Sequence, residues 1–207
     1  YDLPFAQPYH VGYDDALPNY HVCIGLQDAS AWCGPANGDS GLGVLNRDWT
    51  TVAPGDGMWS LFDPLDPNLV WTTSTSSDTG QVFLWDARTR QADELSPDAE
   101  SSGDMPADML RYRFNWDSPI AFLPGGKVLL GGNVVFESAD RGRHWTVISP
   151  DLTCHDRSHQ GVPGGPVSAD MSGAEIADTI LDVAPSPLDP NVIWVGTDDG
   201  LVQVTRD

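Results

Sequence analysis

The sequence has little positive charge. It contains one lysine, Lys127, and nine arginines against 30 acidic residues, so its net charge is −20. Such a surface repels phosphate groups, which excludes nucleic acid and anionic membranes as expected partners. Glutamate is also scarce, with four residues against 26 aspartates. Many aspartates adjoin glycine, proline or asparagine, which favours a role in turns over a salt-adapted or calcium-loaded surface.

Long apolar runs are absent, and no window keeps a helical period. The sequence therefore predicts no membrane span and little helix. It contains 21 glycines, 17 prolines and eight tryptophans, a mixture typical of short strands joined by tight turns. The chain begins at Tyr1 without a visible signal peptide, so we expect a mature, processed or partial chain.

The three cysteines point to one disulfide candidate and to no metal site. Cys23 and Cys33 flank a strand–turn–strand pattern, so they could form a cross-strand disulfide or remain two buried thiols. Cys154 with His155 and His159 gives too few ligands for zinc. The sequence predicts no bound metal there.

A repeat indicates the fold class. The segment 64–71, with the pattern P-L-D-P-N-apolar-apolar-Trp, recurs as 187–194, about two units of 60 residues later. Strand-turn-strand patterns follow each copy, including an Asp199-Gly200 hairpin, and strands are expected at 43–45 and 49–53 in an earlier unit. The sequence therefore predicts an all-β chain, a β-propeller of four-stranded antiparallel blades. The four predicted blades cover approximately residues 8–54, 55–97, 113–150 and 177–207.

The last predicted blade lacks its outer strand, and such open edges are normally protected. We therefore expect these four blades to form part of a larger propeller, completed by further blades or by another chain.

A short motif between two extended runs carries a family resemblance. Ser138, Asp140, Gly142 and Trp145 form the pattern S-x-D-x-G-x-x-W. Aspartate can accept turn amides, glycine supplies a positive φ, and tryptophan covers the sheet edge. The pattern resembles the Asp-box of BNR-repeat β-propellers, which include sialidases, xyloglucanases and the sortilin-type receptor domain. In that superfamily the box is a structural element away from the ligand face.

Other segments extend the resemblance over most of the chain. Residues 25–35, 113–119 and 194–200 resemble those of large secreted bacterial sortilin-like or "BNR repeat glycosyl hydrolase" proteins. The resemblance implies a multi-blade propeller located outside the cell, in the periplasm or at the cell surface. Hydrolase activity is implied only by analogy of fold.

The predicted ligand site lies on the loops of one propeller face. The long irregular segments 27–41, 96–110 and 150–173 are expected to gather there. Innermost strands would add polar groups facing the channel. The candidate ligand-binding residues are His10, Gln27, Asp28, Trp32, Arg113, Asn115 and Asp117.

Each candidate also has a structural interpretation. Asp28 and Asp56 could hold turns, Trp32 could pack between blades, and His10 could be a core histidine. Arg113 and Asp117 could form an ion pair.

The expected function is a ligand-binding or interaction module for a glycan or a peptide. The first alternative is a xyloglucanase-like glycoside hydrolase, for which two carboxylates are needed and Asp28, Asp56 and Asp117 are the catalytic candidates. The second is a structural component of an extracellular assembly that pairs strands across chains. The sequence predicts no cofactor, although the acidic turns at Asp14-Asp15 and Asp198-Asp199 are compatible with calcium.

Overall fold

A computed structural model describes residues 5–38, 41–75, 78–98, 105–170, 172–174 and 176–206. Apart from two single-turn 3-10 helices, Asn46–Asp48 and Ala107–Met109, the regular structure of these residues consists of strands. None of the helices in these ranges is long and apolar enough to cross a membrane.

The described strands form four antiparallel sheets, which we name blades 1 to 4. Blade 1 contains β1 (Pro8–Tyr13), β2 (His21–Leu26), β3 (Ala31–Pro35) and β4 (Thr50–Ala53). Blade 2 contains β5 (Asp56–Phe62), β6 (Leu69–Thr75), β7 (Gln81–Asp86) and β8 (Gln91–Glu94). Blade 3 contains β9 (Ile120–Leu123), β10 (Lys127–Gly131), β11 (Val135–Ser138) and β12 (Thr146–Val147). Blade 4 contains β13 (Ile180–Pro185), β14 (Ile193–Thr197) and β15 (Val202–Thr205).

Each blade is a meander, because its strands pair in the order in which they occur along the chain. Meanders of four short strands are the sheets from which β-propellers are built. The prediction of an all-β chain made of β-propeller blades is therefore confirmed. The chain divides into two compact units, with blades 1 and 2 in the first and blades 3 and 4 in the second.

The sequence repeat forms the same turn in blades 2 and 4. The carboxylate of Asp66 accepts the backbone N–H of Asn68 at 3.2 Å, and Asp189 accepts that of Asn191 at 3.0 Å. The chain then enters β6 in the first copy and β14 in the second. An aspartate side chain that accepts the backbone N–H two residues later is typical of turns. The repeat thus fixes where the second strand begins in blades 2 and 4.

The loop between β11 and β12 is organised by its own side chains. Ser138 Oγ accepts the backbone N–H of Gly142 at 2.8 Å, and Gly142 has a φ of +77°. Asp140 Oδ1 accepts a backbone amide four residues later at 2.9 Å. Trp145 follows and donates its indole N–H to the carbonyl oxygen of Leu95 at 2.7 Å. The side chains of Ser138 and Asp140 therefore close the turn around the positive φ of Gly142, as these residue types predict.

Small apolar and aliphatic side chains fill the core of the first unit. Cys23 and Cys33 face each other across β2 and β3 and form a disulfide. The pairing places the bond inside the core instead of at its surface. The buried cluster contains Cys23, Ala31, Cys33, Val52, Ala53, Val70 and Phe83.

In the second unit, blades 3 and 4 pack through aliphatic side chains. The buried cluster contains Leu129, Val135, Ile180, Val183, Ile193 and Val195. The last two belong to alternate positions of β14, so one face of blade 4 is covered by blade 3.

Blade 1 differs from its prediction in two places. The segment 27–41, expected to be a loop, contains β3, which pairs with β2 on one side and β4 on the other. The strand expected at 43–45 is instead a turn with Gly43 at a φ of +68°, followed by a 3-10 helix. Pairing with two neighbours stabilises β3 although its sequence contains glycine and proline. Parts of the predicted loops 27–41, 96–110 and 150–173 lie outside the described residues.

Candidate functional site

Three of the predicted site residues meet in the first unit. Gln27 donates its side-chain amide to Asp56 Oδ2 at 2.7 Å and to Asp28 Oδ1 at 3.2 Å. Asp56 Oδ1 accepts the backbone N–H of Asp28 at 2.7 Å. The cluster is possible because Asp28 adopts a positive φ of 55° between β2 and β3. Asp56, at the start of β5, therefore fastens this turn with both of its oxygens.

The same turn is held from two other sides. The Tyr9 hydroxyl donates to Gln27 Oε1, and the indole N–H of Trp32 donates to the carbonyl oxygen of Ala29 at 2.6 Å. Trp32 lies on β3 rather than in a loop. Gln27, Asp28 and Trp32 thus take part in the turn's own hydrogen bonding.

His10 lies on β1 and stacks on an aromatic ring. Its imidazole is 3.8 Å from the ring centroid of Trp59, with an interplanar angle of 17°. The indole nitrogen of Trp59 is buried and has no hydrogen-bond partner among the described residues. His10 therefore packs as an aromatic side chain in the first unit.

Arg113 is the centre of a buried polar network in the second unit. Its side chain is 3% exposed. It donates to Asp151 Oδ2 at 2.7 Å, to Thr153 Oγ1 at 3.3 Å and to the carbonyl oxygen of Asp178 at 3.1 Å. Its backbone N–H is accepted by Asn133 at 3.0 Å. The ion pair of Arg113 is therefore with Asp151, not with Asp117 as the sequence suggested.

The electrostatics of Asp151 follow from this network. Partial burial raises the pKa of Asp151, but hydrogen bonds from Thr153, Asn133 and Arg113 outweigh burial and lower the pKa to about 2. A carboxylate held in its charged form by three donors is a poor general acid. The network therefore keeps Asp151 in its charged form beside the buried guanidinium of Arg113.

Asn115 and Asp117 shape the turn before β9. Asn115 Oδ1 accepts the backbone N–H of Asp117 at 3.0 Å, and its amide donates to Thr179 Oγ1 at 2.9 Å. Thr179 is in turn bound by Asp198, through its backbone N–H and its hydroxyl, at 2.9 Å each. Asn115 therefore connects this turn to the start of β13.

The acidic turns considered for calcium make hydrogen bonds within the chain. Asp14 accepts the backbone N–H of His21 at 2.7 Å. Burial raises the pKa of Asp14, but hydrogen bonds from His21 and Ala16 outweigh it, so the pKa is lowered. Among the described residues, no group of three His, Cys, Asp or Glu side chains is placed to hold a metal ion.

The second unit contains a groove that the sequence did not predict. It encloses about 960 Å³ between blades 3 and 4. Its apolar side chains come from both blades, and polar groups of β15 lie along one side. The groove is lined by Leu123, Val135, Ile148, Leu152, Ile193 and Val195, with Lys127, Glu137, Gln203, Thr205 and Arg206.

The strand beside this groove has an unpaired edge. β15 pairs with β14, and within the described part of the chain nothing pairs with its other side. The N–H of Thr197 donates to the carbonyl oxygen of Leu201 at 3.0 Å, which is the first ladder bond of the hairpin. Hydrogen-bonded pairs alternate along an antiparallel ladder, so Val195 and Gln203 form the next bonded pair.

It follows that the residues between bonded pairs direct their backbone groups to the open edge. These residues are Val202 and Val204, whose side chains are 71% and 41% exposed. Gln203 lies opposite Val195 and its side chain donates to the carbonyl oxygen of Leu152 at 3.4 Å, so it faces the groove. The edge therefore offers two N–H and two C=O groups next to an apolar groove.

The charges at the groove differ from those of the whole chain. Lys127 and Arg206 contribute positive charge, and Glu137 is the acid among the lining residues. Lys127 Nζ is 2.9 Å from Glu137 Oε1, and the lysine side chain is 47% exposed. The lining thus carries a local excess of positive charge on an acidic protein.

The sequence indicated the open edge beside the groove but not the groove itself. The unfinished last blade was visible in the order of turns and strands, which indicated the open edge. The depth of the groove could not be seen, because blades 3 and 4 contribute its walls from segments distant in sequence.

No protein-family model matches the chain, and no curated protein matches it either. The resemblance to Asp-box propellers thus remains a prediction from the motif, whereas the blade architecture rests on the structure.

Proposed function

We propose that the chain is a binding module that accepts an extended peptide segment along the open edge of β15. The observation that carries this proposal is the groove of about 960 Å³ beside an unpaired strand edge. In strand addition, main-chain hydrogen bonds supply affinity and pockets for alternate side chains supply specificity. The open edge of β15 offers the main-chain hydrogen bonds, and the groove offers a pocket for side chains.

The edge residues fit this mode of binding. An added strand would pair its backbone with the outward N–H and C=O groups of Val202 and Val204. Every second side chain of that strand would then point to the same face as Gln203, towards the groove. There it would meet apolar side chains such as Ile148, which is 43% exposed.

The finer family assignment belongs to the same proposal. The turn around Ser138, Asp140 and Gly142 has the hydrogen bonds that an Asp-box requires, which supports membership of the Asp-box propellers. The Cys23–Cys33 disulfide supports a location outside the cytosol, because disulfides persist in oxidising compartments. In this proposal the strand expected to complete blade 4 comes from another chain, as the peptide segment that pairs with β15.

A second candidate function is glycoside hydrolysis. Asp28 and Asp56 both lie within 3.2 Å of the Gln27 amide nitrogen, so their oxygens are no more than about 6 Å apart, near the separation used by retaining glycosidases. Release of reducing ends from xyloglucan oligosaccharides, lost in both Asp28→Asn and Asp56→Asn, would favour this candidate. Equal release by the wild type and both variants would exclude these two residues as its catalytic pair.

Peptide selection tests the main proposal. A phage-displayed library of random 12-residue peptides is selected on the full chain, and the enriched peptides are measured by fluorescence polarisation. Val204→Pro removes one outward N–H without touching the ladder to β14, so we expect it to weaken binding by about ten-fold or more. Val204→Ala keeps that N–H and serves as the control. Equal binding by the wild type and Val204→Pro would contradict the proposal.

A further inference from the structure

Asn37 is the only one of the seven asparagines in the sequence that is followed by glycine. Each of the other six precedes a residue whose side chain restricts the backbone and crowds its nitrogen. These six are Asn19, Asn46, Asn68, Asn115, Asn133 and Asn191. Gly38 has no side chain, so its backbone nitrogen is accessible to the side chain of the preceding residue.

The structure places the reacting groups of this dipeptide side by side. Asn37 is exposed two residues after the end of β3 in blade 1. The backbone N–H of Gly38 donates to Asn37 Oδ1 at 2.9 Å, so the nitrogen lies beside the carbonyl group of the side-chain amide. Groups held in contact in this way react far faster than groups that must first find each other. We infer that Asn37 is a site of spontaneous deamidation in the folded chain.

The reaction consumes only water. The nitrogen of Gly38 gives its proton to hydroxide and bonds to Cγ of Asn37, and the bond from Cγ to Nδ2 then breaks. Nδ2 takes a proton from water and leaves as ammonia, so a five-membered succinimide ring remains. Water opens this ring at either carbonyl group. Opening at Cγ gives aspartate, and opening at the backbone carbonyl gives isoaspartate, in which the chain continues through the side chain.

Two Asp-Gly steps in the sequence could close the same ring, but the fold holds both of them. Asp56 is buried, and each of its oxygens accepts a hydrogen bond at 2.7 Å. In the second step, from Asp199, the N–H of Gly200 donates to the carbonyl oxygen of Thr197 at 3.2 Å. That nitrogen is committed to another acceptor. The fold therefore favours reaction at Asn37 over reaction at either aspartate.

Isoaspartate at position 37 would loosen the loop that follows β3. A Cβ atom on Gly38 would stand 2.6 Å from the backbone carbonyl of Gly43, so these two glycines are closely packed. The isoaspartyl link adds one atom to the backbone directly before Gly38, and the contact leaves no room for it. The Ala36 N–H, which donates to the carbonyl oxygen of Tyr20 at 2.9 Å, precedes the change. We therefore expect β3 to keep its pairing while the loop opens.

Incubation of the full chain at mildly alkaline pH tests the inference. Replacement of the amide NH2 by OH raises the mass by about 1 Da, and tandem mass spectrometry of peptides locates the change and identifies isoaspartate. We expect Asn37 to react at least about ten-fold faster than each other asparagine. We expect isoaspartate at Asp56 and Asp199 only after the chain is unfolded in urea. Equal rates at all asparagines, or reaction of Asn37 only in urea, would overturn the inference.

Asn37→Gln and Asn46→Gln form a matched pair of variants. Glutamine keeps an uncharged amide, but it must close a six-membered ring, which forms more slowly, so Asn37→Gln should gain no mass on incubation. Asn46 is also exposed and precedes Arg47, so Asn46→Gln should gain mass as the wild type does. A mass gain in Asn37→Gln as fast as in the wild type would contradict the assignment.

Amide exchange tests the effect on the loop. In the incubated wild type, exchange around Gly43 should be faster by about three-fold or more, and exchange in β3 should be unchanged. Incubated Asn37→Gln should show neither change. Equal exchange around Gly43 before and after modification would contradict the predicted opening of the loop.

Discussion

Gly12 and Ser60 lie in contact through their backbones. A Cβ atom on residue 12 would stand 2.0 Å from the carbonyl oxygen of Ser60. β1 therefore approaches β5 closely enough that only a residue without a side chain fits at this point. Gly25 on β2 makes a similar approach, since its Cβ would stand 2.1 Å from the carbonyl oxygen of Met58.

Replacing Gly12 by alanine tests this contact. The methyl group would force β1 away from backbone atoms that cannot rotate aside, so we expect Gly12→Ala to lower the free energy of unfolding by about 2 to 3 kcal/mol. Gly196→Ala is the matched control, because Gly196 also lies in a strand and no atom is within 4 Å of its added Cβ. Urea denaturation of both variants measures the difference, and equal stabilities would contradict the close packing.

Replacing Arg113 by methionine tests the buried network of the second unit. The change removes the guanidinium that neutralises Asp151 and donates to the carbonyl oxygen of Asp178, while Thr153 and Asn133 still donate to Asp151, so we expect a loss of about 2 to 4 kcal/mol. Arg157→Met, at an exposed position, should change stability by less than about 0.5 kcal/mol. Thermal unfolding followed by circular dichroism compares the two. A small loss of stability in Arg113→Met would mean that the network contributes little to the free energy of unfolding.

The lowered pKa of Asp151 predicts a pH dependence. Because this pKa is about 2 in the folded chain and 3.8 ordinarily, the carboxylate stabilises the fold above about pH 4. That stabilisation is lost as the pH falls from 4 towards 2.

Asp151→Asn should remove the part of the acid-induced loss of stability that comes from protonation of Asp151. We expect the variant to be less stable at pH 7 and to lose about 1 to 2 kcal/mol less than the wild type between pH 5 and pH 2. Urea denaturation at several pH values measures how the free energy of unfolding changes with pH in each protein. Parallel pH profiles for the two proteins would show that Asp151 does not titrate as inferred.

The Cys23–Cys33 disulfide should contribute measurably to stability. It closes a loop with a sequence separation of 10, for which constraint of the unfolded chain is worth about 2 to 3 kcal/mol. The Cys23→Ser, Cys33→Ser double variant should therefore unfold at a lower temperature than the wild type. Cys154→Ser, which changes an exposed free thiol, is the control. Reductant should lower the melting temperature of the wild type but not that of the double variant.

Local patterns predicted the fold well because blades are built from local turns. The repeated P-L-D-P-N segment and the Asp199-Gly200 hairpin each determine their own hydrogen bonds, and so does the turn at Ser138 and Asp140. The strand–turn–strand pattern between Cys23 and Cys33 indicated the start of β3, but its continuation through Gly34 and Pro35 was not predicted, because pairing with β2 and β4 stabilises it more than the propensities of its own residues do.

The candidate site was harder to predict, because its contacts join segments far apart in sequence. The sequence indicated Gln27, Asp28 and Asp56 as polar groups, yet only the packing of the turn between β2 and β3 against β5 shows that they hydrogen-bond to one another. Arg113 was predicted to face a channel and is instead buried beside Asp151. The groove depends on how two blades pack, which no single segment encodes.

Hydrogen–deuterium exchange at Val202 and Val204, with and without a selected peptide, tests the central claim most directly. The account predicts that both amides exchange quickly in the isolated chain and slow by at least about ten-fold in the complex. Gln203 should change little, because its N–H is already bonded to β14. Binding of the peptide without protection of Val202 and Val204 would contradict strand addition at β15.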